Sequence, residues 1–283
     1  MAESHRTVLK LDVSWFQRYP RWEAHNRYAL SCFHITEQFA TQDEVDHLRD
    51  AHLGRLIRWR INAARRLNFN GYAHRHSNQA DWGKRQRHKF DPQVLAQPNG
   101  TYLQGMFQSE KYFLRVSQLL RLHFSFRYPA HPEVLALAER LRSGLSIAVH
   151  FRRGDLVTNP RFRAKMGVIG LDYYRRAFSM IHAQFPKATF YVFSNDIEAV
   201  AQEFIPPERT VWVRENPDWD ASDLMRLMSL CHHAMTSNSI FAWWGAWLNP
   251  SPQKQVVTPT PWFADPAVDN THIVPAAWIQ LPR

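Results

Sequence analysis

The distribution of apolar residues changes character near residue 145. Beyond that point short runs of β-branched and aromatic residues alternate with stretches of helical period. Strands are predicted at 147–151, 189–193, 210–213, 233–236 and 255–258, and helices at 171–183, 197–204, 222–231 and 240–248. Alternation of this kind with short polar turns is the pattern of a doubly wound parallel sheet. The first half is less regular. Residues 7–13 alternate imperfectly and predict a strand. Residues 37–67 carry no proline and place Val45, Leu48, Leu53, Leu56 and Ile57 at roughly helical spacing, with a densely basic second half from 55 to 66. Residues 71–99 are polar, include the cationic run 84–89 and read as a loop or irregular insertion, whereas 107–126, rich in Phe, Tyr and Leu, predicts a helix. The change of pattern divides the chain into two α/β domains, 1–143 and 144–283.

Composition narrows the class without choosing a function. Apolar residues make up 45% of the 283 and charged residues 21%, which suits a folded globular enzyme. A formal charge of +10 favours anionic partners: nucleic acid, an acidic membrane surface or a nucleotide-like substrate. The two cysteines, Cys32 and Cys231, are far apart in sequence, which argues for a reducing compartment rather than a disulfide framework. The apolar stretch 240–248 is too short to span a bilayer. Cys231-His232-His233 invites a metal reading, but no second cluster of ligands completes four, so a buried cysteine beside helix-end histidines is expected and no metal site is assigned. The run 84–89 with Trp82 and Phe90 has no accompanying nucleic-acid-binding motif, so a solvated loop facing an anionic ligand or membrane surface is expected.

The chemistry concentrates at strand ends. His150-Phe151-Arg152-Arg153-Gly154-Asp155 closes the apolar run 145–149 and delivers two guanidinium groups to a sheet edge. Arginine offers a planar fork of donors matched to phosphate oxygens and keeps its charge. These six residues fit a diphosphate clamp and a solvated strand end with an ordinary ion pair equally well. A second strand ends in Ser194-Asn195-Asp196; if parallel to the first, Asn195 and Asp196 enter the same crevice. Ser237-Asn238-Ser239 precedes the apolar segment Ile240-Phe241-Ala242-Trp243-Trp244-Gly245-Ala246-Trp247-Leu248 and predicts a helix whose N-terminal N–H groups face an anion, with the tryptophans in the core. Beside two arginines, this cluster favours phosphate binding over a plain helix cap.

Together these three segments resemble the glycosyltransferase family 11 α-1,2-fucosyltransferases. The similarity takes in residues 9–16, Gln108-Ser109-Glu110-Lys111-Tyr112-Phe113 and Asp223-Leu224-Met225, so it runs nearly the whole length. The resemblance implies a GT-B-like fold of two Rossmann-like domains and inverting transfer of L-fucose from GDP-β-L-fucose to the 2-hydroxyl of a β-galactoside. It implies no obligatory metal and no cofactor beyond the donor. The acceptor is expected to be a galactose-terminated, lipid-linked glycan, in the bacterial cytoplasm or at the inner face of the membrane. The family pattern places Arg152 and Arg153 on the pyrophosphate and leaves Asp196 as the donor-binding carboxylate; Asn195, Ser237, Asn238 and Ser239, at the strand end and helix start, are the further expected donor contacts. Arg152 is the expected catalytic cation; His150 and Asp155 are the candidates for general base or for orienting the arginines. Two departures stand out. The family often has Asp-Asp where this chain has Asn195-Asp196, and its Gly-Gly-Leu-Gly-Asn-Gln loop has no counterpart here, since Met1-Ala2-Glu3 matches the late part of the following helix. The resemblance therefore implies an incomplete N-terminal domain, from a late start codon or a true truncation. The alternatives are an α-1,6 or protein-O-type fucosyltransferase, against which the tryptophan-rich helix speaks, a non-catalytic nucleotide-sugar-binding remnant, and a basic nucleic-acid-binding protein.

Overall fold

The computed structural model describes residues 2–14, 16, 28–49, 76–78, 88–154, 156 and 159–283. The basic stretch 55–66, most of the polar insertion and Asp155 lie outside the described residues.

The second half of the chain is the α/β unit that its pattern predicts. Six strands form one sheet: β1 Ser146–Phe151, β2 Thr189–Ser194, β3 Thr210–Trp212, β4 His233–Met235, β5 Val256–Thr260 and β6 Ile279–Pro282. Their order is β3-β2-β1-β4-β5-β6 and every neighbouring pair is parallel. This is the Rossmann-type arrangement of a GT-B-like fold. The chain starts at the centre, builds outward to β3, crosses back to β4 and builds outward the other way. The reversal leaves a crevice beyond the carboxyl ends of β1 and β4.

The helices that cover the sheet are α1 Pro132–Ser143, α2 Pro160–Met166, α3 Leu171–Gln184, α4 Ile197–Glu203, α5 Ala221–Leu230 and α6 Ile240–Leu248. Side chains alternate across β1, as period 2 requires. Ile147, Val149 and Phe151 pack with Tyr173, Tyr174, Phe178 and Ile181 of α3. Ala148 faces the other core, with Val134 and Leu141 of α1, Leu227 of α5, and Trp243 and Trp247 of α6. Both faces are covered, so β1 is buried along its whole length and reads as a continuous apolar run. Helix α1 precedes residue 144 in sequence yet contributes to this core. Gly245 lets α5 and α6 approach closely: a Cβ there would stand 2.9 Å from Cβ of Met228.

The first half departs from its pattern. Residues 7–13 form no strand; Leu11 makes an isolated parallel bridge to Phe39, and Val8 and Leu9 are exposed, so the run lacks the buried face that stabilises a strand. Within 37–67, the described helix is Gln42–Leu48, closed by a capping box between Thr41 and Glu44. The helix expected over 107–126 is divided into 3₁₀ turns at Glu110–Tyr112 and Leu114–Val116 and an α-helix at Ser117–His123. The break turns Phe113 onto Trp243, Trp244 and Trp247 of α6, with ring centroids 5.1–6.2 Å apart. Two short strands, His76–Asn78 and Tyr102–Gln104, pair in parallel. Among the described residues no helix is long and apolar enough to cross a membrane.

Candidate functional site

The two motifs singled out in the sequence flank the crevice where the strand order reverses. β1 ends at Phe151, so Arg152 and Arg153 leave the sheet at its carboxyl edge; β4 ends at Met235 and Thr236-Ser237-Asn238-Ser239 leads into α6. The pairing Val149↔Met235 sets His150 level with the start of that loop, and His150 Nδ1 lies 2.8 Å from Ser237 Oγ. Strand β2 is parallel to β1, with Phe151 paired to Ser194, so Asn195 and Asp196 emerge at the same edge.

The alternation of β1 continues one step past the strand and separates the two arginines. Arg152 follows the face of His150. Its Nη1 donates to the Asn238 carbonyl at 3.2 Å and its guanidinium lies 4.9 Å from the Phe162 ring of α2, a cation–π contact. It is half-buried at the entrance of α6. Arg153 follows the face of Phe151 and is buried. Its Nε donates to Glu203 Oε2 of α4 at 3.3 Å, and its Nη1 donates to the carbonyls of Arg152 and Ile169, each at 3.4 Å. Of the two arginines expected on the pyrophosphate, one is therefore beside the crevice and the other beneath it.

The loop before α6 is buried from Thr236 to Ser239. Ser237 and Asn238 are wholly buried. Ser237 bonds His150, and Asn238 Nδ2 donates to the carbonyls of Met166, Gly167 and Trp262 at 2.8–3.2 Å. Both side chains, expected on the donor, hold the loop in this structure. Ser239 is the N-cap residue of α6, but its side chain makes no capping hydrogen bond. The first intrahelical bond runs from Trp243 N–H to the Ser239 carbonyl, so the N–H groups of the opening turn point out of the helix. The positive end of α6 and the Arg152 guanidinium thus converge, which is an arrangement for an anion.

At the neighbouring strand end, Asn195 Oδ1 accepts the Arg153 backbone N–H at 3.0 Å, and a Cβ on Gly154 would stand 2.2 Å from Asn195 Nδ2. A side chain at 154 would displace the Asn195 amide that lies against it. Asp196, expected to hold the donor, is the N-cap of α4 and accepts from Ala199 N–H at 3.2 Å.

His150 is buried, and burial together with the adjacent Arg152 cation holds its pKa down at about 3. It stays neutral near pH 7, and its Nδ1 is engaged by Ser237. Through Ser237 it orients the loop.

Two functional neighbours escaped the sequence reading. Tyr173 OH donates to the Thr236 carbonyl at 2.7 Å, and Tyr174 OH donates to the His150 carbonyl at 3.1 Å. Burial pushes both phenol pKa values up, which keeps them as donors. They tie α3 to the ends of β1 and β4 on either side of the crevice. The signal was present: adjacent tyrosines on an amphipathic helix, both buried, need a polar partner for each hydroxyl. The expectation for the tryptophans holds, with Trp243 and Trp247 in the core and Trp244 half-buried beside them. Cys231 is buried at the end of α5, its thiol directed to the Leu227 carbonyl.

Over 135 residues the chain is 35% identical to the O-antigen biosynthesis glycosyltransferase WbnK of Escherichia coli, covering 47% of this chain and 44% of that protein. Over 182 residues it is 30% identical to an alpha-1,2-colitosyltransferase of Escherichia coli, covering 63% of this chain and 62% of that protein. The matches thus span less than two thirds of either relative. Residues 62–281, which include the whole crevice and both arginines, match glycosyl transferase family 11, and the chain belongs to that family.

Proposed function

We propose that this protein is an inverting glycosyltransferase that moves L-fucose from GDP-β-L-fucose to the 2-hydroxyl of a β-galactoside during surface polysaccharide synthesis. The observation that carries the proposal is the convergence of Arg152 and the α6 N-terminus at the switch point of a Rossmann-type sheet. As the bond between the anomeric carbon and the phosphate oxygen breaks, negative charge builds on the departing GDP and the sugar becomes oxocarbenium-like. A fixed guanidinium and helix-end N–H groups at the diphosphate stabilise that transition state more than the ground state. Arg153, Ser237 and Asn238 act one layer back, by holding Arg152 and the loop in place. The acceptor is a galactose-terminated, lipid-linked glycan reached at the inner face of the bacterial membrane.

The likeness to an alpha-1,2-colitosyltransferase favours a second reading, in which the same site transfers colitose through the same linkage. The deciding experiment incubates the protein with GDP-fucose or GDP-colitose and a panel of β-galactosides, and assigns the product linkage by NMR. An α-1,2-fucosyl product is expected, with full turnover in excess EDTA because the cationic groups described above neutralise the leaving group. Salt-dependent binding of random oligonucleotides without saturable GDP binding would replace this reading with a nucleic-acid function. Turnover lost to chelator and restored by manganese would replace its metal-independent chemistry.

A further inference from the structure

A cavity of about 260 Å³ lies between the segment 106–113 and helix α6. Phe107, Gln108 and Phe113 form one wall, and Ile240, Trp243 and Trp244 form the other. It is smaller than the roughly 300–1,000 Å³ typical of whole-ligand clefts, so it fits part of a nucleotide sugar. It begins at Ile240, the first residue of α6, and follows the helix to Trp244. Four residues at 1.5 Å each make about 6 Å, the length of one pyranose ring leaving a diphosphate held at the helix end.

The lining is apolar except for a polar edge at Gln108 and Ser109, and the orientation of Gln108 is fixed from behind. His88 is buried, with its ring 4.4 Å from that of Phe263. Lys165 Nζ, from α2, lies 3.2 Å from His88 Nε2, and His88 Nδ1 lies 2.6 Å from Gln108 Oε1. An ammonium has no lone pair, so His88 Nε2 accepts, Nδ1 carries the proton, and its partner on Gln108 is the carbonyl oxygen. The amide nitrogen occupies the other corner of the planar group. The backbone supports the same placement. Phe107 has φ +46°, in the left-handed region that bulky residues avoid, and Ser109 N–H reaches back 2.9 Å to the Phe107 carbonyl across Gln108. Strain of this kind persists where surrounding structure imposes it, often at ligand sites.

We infer that this cavity is the subsite for the donor's deoxyhexose ring and that Gln108 is its specificity-determining hydrogen-bond donor, positioned by His88 and Lys165. The aromatic and aliphatic wall takes the C–H face and the exocyclic methyl of a 6-deoxy sugar; the Gln108 amide N–H groups donate to a ring hydroxyl. A sugar with a hydroxymethyl in place of the methyl would bury a hydroxyl against apolar atoms, so the subsite excludes ordinary hexoses. This inference rests on the proposed binding of the nucleotide diphosphate beside Arg152 and adds the identity of the sugar pocket.

Calorimetry on the full chain separates the two. GDP, GDP-fucose and GDP-L-galactose, which differs from GDP-fucose by the 6-hydroxyl, are titrated into the wild type and into Gln108→Ala and His88→Phe, with melting curves confirming the fold. GDP binding reads the proposed function alone. The inference expects GDP-fucose to bind the wild type roughly tenfold or more tightly than GDP-L-galactose. It also expects Gln108→Ala to weaken GDP-fucose by about tenfold while GDP affinity stays constant. His88→Phe, which removes the orienting partner and leaves the cavity wall intact, is expected to give the same selective loss. If GDP binds but Gln108→Ala leaves GDP-fucose affinity unchanged, or if the variant alters only the KM for the galactoside, the cavity is not the donor-sugar subsite. If GDP does not bind the wild type, both the inference and the functional reading fall.

Discussion

Arg152 and Arg153 are adjacent in sequence, alike in chemistry and opposite in use. The first turns toward α6, where it is half-buried, bonds the Asn238 carbonyl and stacks on Phe162. The second turns under α4, where it is buried, pairs with Glu203 and satisfies two backbone carbonyls. The loop Ser237-Asn238-Ser239 is buried throughout; its first two side chains fix the chain and the third is the N-cap of α6. A polar motif at a strand end is therefore part crevice-facing and part scaffold; for the two arginines the alternation of the backbone decides which is which.

The contrast is tested hardest at Arg152. Arg152→Ala is expected to lower kcat by at least a hundredfold, on the order of 3 kcal/mol, with the melting temperature little changed. Arg152→Lys should be nearly as impaired, because a point ammonium cannot replace a planar fork. Near-normal kcat in the lysine variant would remove Arg152 from the diphosphate. Arg153→Ala should reverse the pattern. Denaturant unfolding is expected to show a loss of about 2 kcal/mol, from carbonyls left without partners and a gap beside Phe151, while the folded fraction keeps its GDP affinity. A stable Arg153→Ala protein that no longer binds GDP would make the two arginines equivalent after all.

His150 sharpens the comparison through pH. Its pKa is about 3 in the folded protein against 6.5 for an ordinary histidine, so below pH 6.5 the unfolded chain takes up a proton that the folded one refuses. Stability from this group is complete above pH 6.5 and declines toward pH 3, by up to about 1.4 kcal/mol per pH unit. Thermal melts of the wild type and His150→Phe across pH 4–7 should show a flatter acid limb in the variant. Parallel limbs would mean that His150 titrates normally. The smallest effect is expected at Gly154. Its replacement by Ala puts a Cβ where the Asn195 amide lies, and the amide must swing away from the Arg153 N–H, for a loss of about 1 kcal/mol by denaturant unfolding. An unchanged midpoint would show that the Asn195 contact contributes nothing.

The amino-acid sequence by itself determined most of the C-terminal α/β alternation, because five of the six strands and helices α3 to α6 are long enough, or apolar enough, to carry their own period; β6 and α2 are not. Helix α6 begins and ends where its apolar run does, and β1 is the run that precedes the arginines. It also identified the site's two motifs, since guanidinium groups at a strand end and a polar cluster before an apolar helix are local signals. Short elements were less legible: α2, seven residues with three cations, shows no apolar stripe, and residues 7–13 have strand-like composition but pair only through the isolated Leu11–Phe39 bridge among the described residues. Tertiary structure alone decided the rest. The strand order placed β1 beside β4 and so brought His150 to Ser237, 87 residues away. Folding of the first half against α6 brought Gln108, His88 and Lys165 into one chain of contacts. A local period states which face a side chain takes, but what stands across from that face depends on topology, and no local pattern encodes it.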